Sequence, residues 1–157
     1  MEREKFLSAI YLIIKNEKGE ILFQRRQGTK LWPLYLGLPA GHVDISEDVY
    51  ETVTREAREE LGIEISERDL GDTFVVNRRN KSIDPYFDVY FVVDNYRGEI
   101  EIKEPNKCQE LVWARMDKLP EDVIPFERTA IENYRRGINF SVVYANNEKE
   151  LTRKKTK

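Results

Sequence analysis

Three glutamates lie within five positions of one short stretch, TREAREELG, which runs from Thr54 to Gly62. They are Glu56, Glu59 and Glu60. Like charges three or four residues apart on a helix repel one another, so this arrangement weakens a helix unless something compensates for it. Carboxylates are the hard oxygen ligands that Mg²⁺ and Mn²⁺ bind. Crowding also raises the pKa of one carboxyl group, which suits a general base.

The residues around these glutamates predict an α-helix from about Asp48 to Leu61. Ser46 is the expected N-cap, and Gly62 is the expected C-terminal stop. At about 100° per residue, five apolar side chains fall on one arc that must face the core: Val49, Tyr50, Val53, Ala57 and Leu61.

Two of the three glutamates lie on or beside the core-facing arc of this helix. Glu60 falls inside the arc, Glu56 lies next to it, and Glu59 lies one step further round. Arg55 and Arg58 are expected on the far side, facing water. An ordinary solvated acidic face would account for Glu59 but accounts poorly for the other two. A carboxylate on the core side costs several kcal/mol unless a positive partner compensates for it, so the pattern predicts a metal site.

A longer window, GHVDISEDVYETVTREAREELGI from Gly41 to Ile63, resembles the signature of the Nudix hydrolases. That signature specifies Gly, five residues, Glu, seven residues, Arg-Glu, an apolar residue, any residue, Glu-Glu, any residue, Gly and an apolar residue. All nine specified positions are in register: Gly41, Glu47, Arg55, Glu56, Ala57, Glu59, Glu60, Gly62 and Ile63.

The resemblance implies roles for the residues at the specified positions of the signature. Glu56, Glu59 and Glu60 would bind divalent metal ions, Mg²⁺ or Mn²⁺, with one of them as the candidate base. Arg55 would orient these carboxylates, and Glu47 would pair with Arg55. Gly41 would allow a sharp backbone turn that brings the Ala40 carbonyl near the metal. The family hydrolyses a nucleoside diphosphate linked to a further group, by attack of water on phosphorus.

A further acidic ligand is expected from a loop after the signature. The segment EIKEPNKCQELVW places Glu104 just before Pro105, and family members with a similar Glu-Pro-x-Lys-Cys stretch have a functional glutamate there. The alternative is a plain loop carboxylate. Glu101 and Glu110 are weaker candidates.

Four residues are candidate substrate contacts, each with a plainer alternative. By the resemblance, Arg26 could contact a phosphate, although Arg25 and Arg26 also suit an exposed strand end. His42 follows the signature glycine and could face the phosphates, or could be a hydrogen-bonded loop residue. Phe126 and Glu127 begin the last predicted helix. They could stack on and hydrogen-bond a nucleobase, or could be a core residue and a helix start.

The choice of substrate depends on weaker signals. Relatives that act on ADP-ribose tend to have a proline about 15 residues past the signature, and dinucleoside-polyphosphate hydrolases tend to have a tyrosine slightly further on. This chain has a predicted polar loop there, from Arg78 to Ser82, including Asn80 and Lys81. The Glu-Pro-x-Lys-Cys stretch with Trp113 resembles members that cleave nucleoside triphosphates, oxidised ones included. Trp32 and Tyr35 are alternative pocket aromatics. Family members that isomerise isopentenyl diphosphate require a catalytic cysteine in an Asn-Thr-Cys-Cys-Ser-His-Pro-like context. Cys108 lacks this context, so we set aside isomerisation.

The expected function is a Mg²⁺-dependent pyrophosphohydrolase that converts a (d)NTP, with an oxidised one as an option, into a nucleoside monophosphate and pyrophosphate. A sugar nucleotide or another diphosphate is the alternative substrate, and a non-catalytic nucleotide sensor is the alternative class. A net charge of -3 gives no basic surface for nucleic acid or membrane, which argues against an RNA-decapping role. The first apolar run is too short for a membrane span, so a cytoplasmic location is expected.

The order of elements predicts the fold class. Strands, a helix, more strands and a final helix indicate an α+β protein, and the resemblance implies a Nudix-type α/β/α sandwich with a mixed central sheet. Residues 1–145 are expected to form a single Nudix hydrolase domain, and residues 146–157 a charged, flexible C-terminal tail. A turn is expected at Arg97-Gly98, followed by a short strand that runs to Ile102. Relatives in the family are often dimers, so a homodimer is an option.

Overall fold

The computed structural model of the chain describes residues 1–80 and 84–145. The predictions for Lys81 and for a flexible tail at residues 146–157 lie outside the described residues. Eight strands and two α-helices are numbered in chain order: β1 (Leu7–Ile14), β2 (Glu20–Arg26), β3 (Leu36–Gly37), β4 (Ala40–His42), α1 (Val49–Leu61), β5 (Leu70–Arg79), β6 (Tyr86–Val93), β7 (Cys108–Arg115), α2 (Pro125–Arg135) and β8 (Phe140–Tyr144). No helix in these described ranges is both long enough and apolar enough to cross a bilayer.

The strands form two sheets. The larger has the order β4-β1-β6-β5-β8 and the smaller the order β3-β2-β7. The larger sheet is mixed, because β1 runs parallel to β6 and β5 runs parallel to β8, while the other pairs are antiparallel. The α+β class and the mixed-sheet sandwich are therefore confirmed.

Strand β1 shows why the two helices lie on opposite faces of the larger sheet. Its sequence, LSAIYLII, is apolar at nearly every position, and Ile10 to Ile14 are all buried. Successive side chains of a strand point to opposite faces. Ile10, Leu12 and Ile14 join the cluster that contains the apolar face of α1, and the alternate residues join the cluster that contains α2. Both faces of the larger sheet are thus covered by packed apolar side chains.

The N-terminus of α1 differs from the prediction. Asp48, not Ser46, is the N-cap: its side chain accepts from the Glu51 N–H at 2.8 Å, and Glu51 Oε1 accepts from the Asp48 N–H at 3.1 Å. Ser46 instead has a φ of 69°, in the left-handed region, and lies in the turn before the helix. A capping box needs an acidic or amide residue three positions after the cap, and Asp48 has that partner in Glu51. The C-terminal stop is confirmed, since Gly62 has a φ of 69°.

Two other predicted elements need correction, and one strand was not predicted. The short strand predicted after the Arg97-Gly98 turn, up to Ile102, is not formed, and this described region has only the isolated bridge between Arg97 and Glu64. Arg78 and Arg79 end strand β5 instead of starting a loop. Strand β8 was not predicted. Its alternating pattern has exposed apolar residues on one side, which does not resemble a half-buried strand.

Candidate active site

Helix α1 and strand β4 meet at Gly41. A Cβ atom at this position would lie 2.1 Å from Cδ of Glu56, which is far inside van der Waals contact. Any side chain there would displace the Glu56 carboxylate. The glycine is therefore required by the close approach of the β4 backbone to the acidic edge of α1. This contact also joins the helix to β1, which pairs with β4.

Arg55 organises the acidic side chains around it. Its Nε and Nη2 atoms donate to Oε2 and Oε1 of Glu47, at 2.7 and 3.0 Å, in a two-pronged contact. Its Nη1 atom donates to Glu56 at 2.7 Å and to Glu59 at 3.2 Å, and Nη2 also reaches the His42 carbonyl at 3.0 Å. The hydrogen bond from Arg55 lowers the pKa of Glu47 to about 2.

The prediction that Arg55 points away from the glutamates is wrong. A helical wheel fixes the direction of the Cα–Cβ bond, but the long arginine side chain reaches round the helix to its neighbours. The prediction holds for Arg58, whose side chain is 61% exposed and forms its ion pair with Glu64. The pairing of Arg55 with Glu47 that the family resemblance implies is present in the structure.

Glu60 is the glutamate of the cluster whose negative charge is least compensated by neighbouring groups. Its Oε2 atom is buried and has no hydrogen-bond partner within residues 1–80 and 84–145. Burial, and then the negative charge of Glu56, raise the pKa of Glu60 well above its ordinary value. Burial also raises the pKa of Glu56, but the hydrogen bond from Arg55 opposes that rise. The wheel prediction that these two glutamates face inward is confirmed by their side-chain burial.

The donor set fits a divalent cation, although its present arrangement is not a closed cage. Two adjacent carboxyl groups, one with an unpaired buried oxygen, form an anionic cleft of the kind that Mg²⁺ or Mn²⁺ occupies. Among the described residues, no three acidic, histidine or cysteine side chains stand close enough together to ligate an ion as placed. Arg55 holds Glu56 and Glu59, so a cation there would compete with the guanidinium for these carboxylates.

The other residues predicted as metal ligands differ in how they relate to this cleft. Glu104 is near enough for its negative charge to help raise the pKa of Glu60, and its side chain is about one-third exposed, 3.8 Å from Lys107 Nζ. Ala40 meets Glu60 through a backbone hydrogen bond that opposes the rise in pKa. Glu101 and Glu110 instead form ion pairs with Lys103 and Arg25.

A cavity of about 210 Å³ opens on the other side of β4. All four predicted substrate contacts line this cavity: Arg26, His42, Phe126 and Glu127. Other residues in its wall include Trp32, Gly41, Arg78 and Tyr86. A larger depression of about 530 Å³ lies between Asp72, Tyr134 and Asn139 and has none of the predicted site residues in its wall. The smaller cavity is the better candidate, because it shares Ala40 and Gly41 with the acidic cleft.

Glu127 supplies a buried carboxyl group to this cavity. The Leu38 N–H donates to its Oε1 atom at 2.7 Å, and its exposed fraction is 3%. Burial raises the pKa of Glu127 to about 8. Phe126 beside it is 7% exposed and packs edge-on against Tyr11, so it is both a core residue and part of the cavity wall.

Arg78 is a cavity residue that the sequence-based reasoning missed. Its Nε atom donates to Asp88 Oδ2 at 2.7 Å, and the pair is buried. Its guanidinium lies 4.1 Å from the centre of the Tyr86 ring and 4.4 Å from that of Phe126. A cation held between two aromatic faces is well placed for packing and for recognition of a polar, planar group.

The remaining predicted contacts separate into inward and outward residues. Arg26 lines the cavity, and its Nε and Nη2 atoms donate to the Leu31 carbonyl at 3.3 and 3.2 Å. His42 lies 2.9 Å from the Tyr86 hydroxyl through Nε2. Arg25 points outward and forms an ion pair with Asp122 at 2.7 Å.

The family model described as the NUDIX domain matches residues 5–134. The chain belongs to the Nudix hydrolase family. It is 25% identical over 132 residues, 84% of this chain and 82% of the relative, to a putative 8-oxo-dGTP diphosphatase of Bacillus subtilis (strain 168). It is 29% identical over 110 residues, 69% of this chain and 83% of the relative, to the 8-oxo-dGTP diphosphatase of Escherichia coli (strain K12).

Solved Nudix structures have the same fold as this chain. The MutT Nudix hydrolase from Burkholderia pseudomallei superposes with a TM-score of 0.68 at 28% identity, over 82% of this chain and 98% of that chain. The expected family is thereby confirmed, and the protein is a Nudix hydrolase.

The burial of Glu60 predicts how the metal-free protein responds to pH. Because its folded pKa lies above its unfolded value, wild-type stability should fall as pH rises from the unfolded pKa through the folded one. In chelator, Glu60→Gln should therefore raise the free energy of unfolding by about 1–3 kcal/mol at about pH 8, and by much less at about pH 4, in urea titrations.

Glu59→Gln is the matched control, since the Glu59 side chain is 52% exposed. It should change the free energy of unfolding by less than about 1 kcal/mol at both pH values. A Glu60→Gln protein that is less stable than wild type at the higher pH, without metal, would contradict this account of the cluster.

Proposed function

We propose that the protein is a Mg²⁺-dependent pyrophosphohydrolase that cleaves a nucleoside triphosphate into a nucleoside monophosphate and pyrophosphate. The observation that carries the proposal is the position of strand β4. Gly41 of this strand touches Glu56 of the acidic cleft, and Ala40, Gly41 and His42 line the cavity. A substrate with its base in the cavity would therefore present its phosphates to the acidic residues.

The glutamates of α1 are the proposed cation ligands. Glu56 and Glu60 form the centre of the site, Glu59 is the exposed member beside them, and Glu104 and the Ala40 backbone lie at its edge. A bound divalent cation supplies neutralisation of phosphate charge and a lower pKa for water. In the reaction, a water oxygen bonds to phosphorus, the bond from phosphorus to the bridging oxygen breaks, and a glutamate accepts the proton of the water.

Arg55 has the role of positioning the cleft. Its bidentate contact with Glu47 fixes the guanidinium at one end, and its Nη1 atom holds Glu56 and Glu59 at the other. If Glu56 and Glu59 were to hold a cation, the contact with Glu47 would still anchor Arg55. The arginine can therefore keep the carboxylates in place without a metal and remain ordered with one.

The cavity chemistry supports a purine nucleotide as substrate. Tyr86, Arg78 and Phe126 form a stacked aromatic and cationic wall, and Glu127 offers a carboxyl group for a base edge. Arg26 at the wall suits a phosphate or a carbonyl oxygen. Two relatives carry the name 8-oxo-dGTP diphosphatase, so we propose an oxidised purine triphosphate as the preferred member of the class.

A panel of nucleotides with Mg²⁺ tests the reaction. We expect 8-oxo-dGTP, and less efficiently dGTP, to release pyrophosphate and the monophosphate, with ADP-ribose, UDP-sugars and diadenosine tetraphosphate as poor substrates. Glu59→Gln and Glu60→Gln should each lower kcat/KM by about 10²-fold or more, because each removes a carboxylate from the cleft. Glu132→Gln, on the exposed side of α2, is the control that should leave kcat/KM unchanged.

The panel also separates this proposal from its alternatives. Turnover of a UDP-sugar or another diphosphate in preference to every triphosphate would show that the substrate is a diphosphate and not a nucleoside triphosphate. Binding without turnover of any compound would indicate a nucleotide sensor. Full activity in both cleft variants would show that these glutamates do not have the proposed role.

The pKa of Glu127, raised to about 8 by burial, predicts a pH effect on substrate binding. Below this pH the carboxyl group can donate a hydrogen bond, and above it the group only accepts one and carries a buried charge. We expect the wild-type KM to rise several-fold from about pH 7 to about pH 9 and the KM of Glu127→Gln to stay flat, because an amide donates at every pH.

Steady-state kinetics of the two proteins at each pH give the comparison. Both proteins retain the same cleft carboxylates, so titration of the cleft cancels in the ratio of their KM values. Parallel pH profiles would exclude Glu127 from substrate binding.

A further inference from the structure

Strand β8 carries an exposed apolar stripe at the edge of the larger sheet. It is the outermost strand in the order β4-β1-β6-β5-β8. Phe140, Val142 and Tyr144 have exposed fractions of 56%, 50% and 67%, while Val143 between them is buried. The three exposed side chains share one face of the strand because strand side chains alternate. The stripe is unrelated to the catalytic cleft, and its role does not depend on the proposed function.

The backbone of the same three residues faces away from the rest of the sheet. The Asn139 carbonyl accepts from the Val75 N–H at 3.0 Å, and the Ala145 N–H donates to the Arg79 carbonyl at 2.8 Å. Odd-numbered residues of β8 thus direct their peptide groups to β5. By the alternation of a strand, the N–H and C=O groups of the even-numbered residues point to the open edge, which no other described strand covers.

This edge lacks the features that normally prevent association of sheets. Soluble proteins protect edge strands with lysine, proline or a bulge, and the strand FSVVY has none of these. The apolar surface also continues into the sheet. Phe140 pairs with Val75 of β5, and Val75 pairs with Val89 of β6 on the same face. The exposed apolar area is about 400 Å², which is the size of the largest patch on a typical monomer, and such a patch often marks an interaction site.

We propose that a second copy of this chain pairs with β8 through an antiparallel, two-fold symmetric contact centred on Val142. In this register Val142 faces Val142 of the other copy on the two-fold axis. On either side of the axis, Phe140 of one copy faces Tyr144 of the other. Each of the three residues directs both peptide groups to the open edge, so every pair in the register can exchange two hydrogen bonds. The two five-stranded sheets become one continuous sheet.

The surface favours a second copy over other occupants. An isologous contact requires a self-complementary patch, and the order aromatic, valine, aromatic on alternate residues is self-complementary when the strand is reversed. Its apolar area is about half of the roughly 800 Å² per partner of a stable interface, and flanking polar residues can supply the rest. Residues 146–157, NNEKELTRKKTK, contain one apolar side chain, Leu151, which is too little to cover the stripe.

Sedimentation equilibrium of the full chain tests the interface. We expect a concentration-dependent dimer for wild type and a monomer for Val142→Lys, because two lysines would meet on the two-fold axis. The dimer dissociation constant should rise by at least about 100-fold. Ile45→Lys is the matched control, since Ile45 is a β-branched apolar residue that is 97% exposed on a loop, and it should remain dimeric. Circular dichroism and the melting temperature verify that both variants fold.

Cross-linking tests the register without depending on a destabilising charge. With a short thiol-to-thiol cross-linker, Phe140→Cys mixed with Tyr144→Cys should give a covalent dimer of the two different variants in preference to either variant alone. Cys108 is buried, so the wild-type chain serves as the background.

A wild-type chain that sediments as a monomer at all accessible concentrations would overturn the proposal. So would a dimer that survives Val142→Lys unchanged, because that dimer would use another surface. Equal cross-linking of the mixed and separate cysteine variants would overturn the antiparallel register.

Discussion

The burial of two neighbouring carboxyl groups on the core side of helix α1 is the constraint on which the rest of the site depends. The Oε2 atom of Glu60 is buried, and Glu56 stands beside it with a side chain that is 13% exposed. Charged groups removed from water cost several kcal/mol each unless they are paired, and the protein supplies only part of that compensation. Arg55 offsets the charge of Glu56, while an oxygen of Glu60 remains unpaired. The cation site that we propose would account for such an unfavourable cluster on a well-packed helix.

The fold makes this cluster possible by bringing β4 against α1 without a side chain between them. The apolar stripe of the helix anchors it on the larger sheet, and β1 holds β4 in register from the other side. The same short strand forms the near wall of the cavity whose far wall is the start of α2. Cleft and cavity are therefore two sides of one backbone segment. In the proposed function, this segment sets the distance between the phosphate site and the base site.

Local spacing made the acidic cleft predictable, whereas long-range contacts made the cavity only partly so. The nine-position signature located Gly41 and the glutamates, because the helix and its adjoining turn are set by neighbouring residues. It could not show that the Arg55 side chain reaches back across the helix. Arg78 was missed because its polar neighbours suggested a loop. The alternation Phe74, Val76, Arg78 places the arginine on the core side of β5, and that signal was available. Strand β8 depends on pairing with β5, which its own residues do not indicate.

Anomalous diffraction from crystals soaked in Mn²⁺ is the most direct test of the central claim. We expect an anomalous peak at coordination distance, about 2.0–2.2 Å, from oxygens of Glu56 and Glu60. The Arg55 guanidinium should be released from Glu56 but remain paired with Glu47. Saturating Mn²⁺ with no peak in the cleft, and with Arg55 still bonded to Glu56 and Glu59, would contradict it.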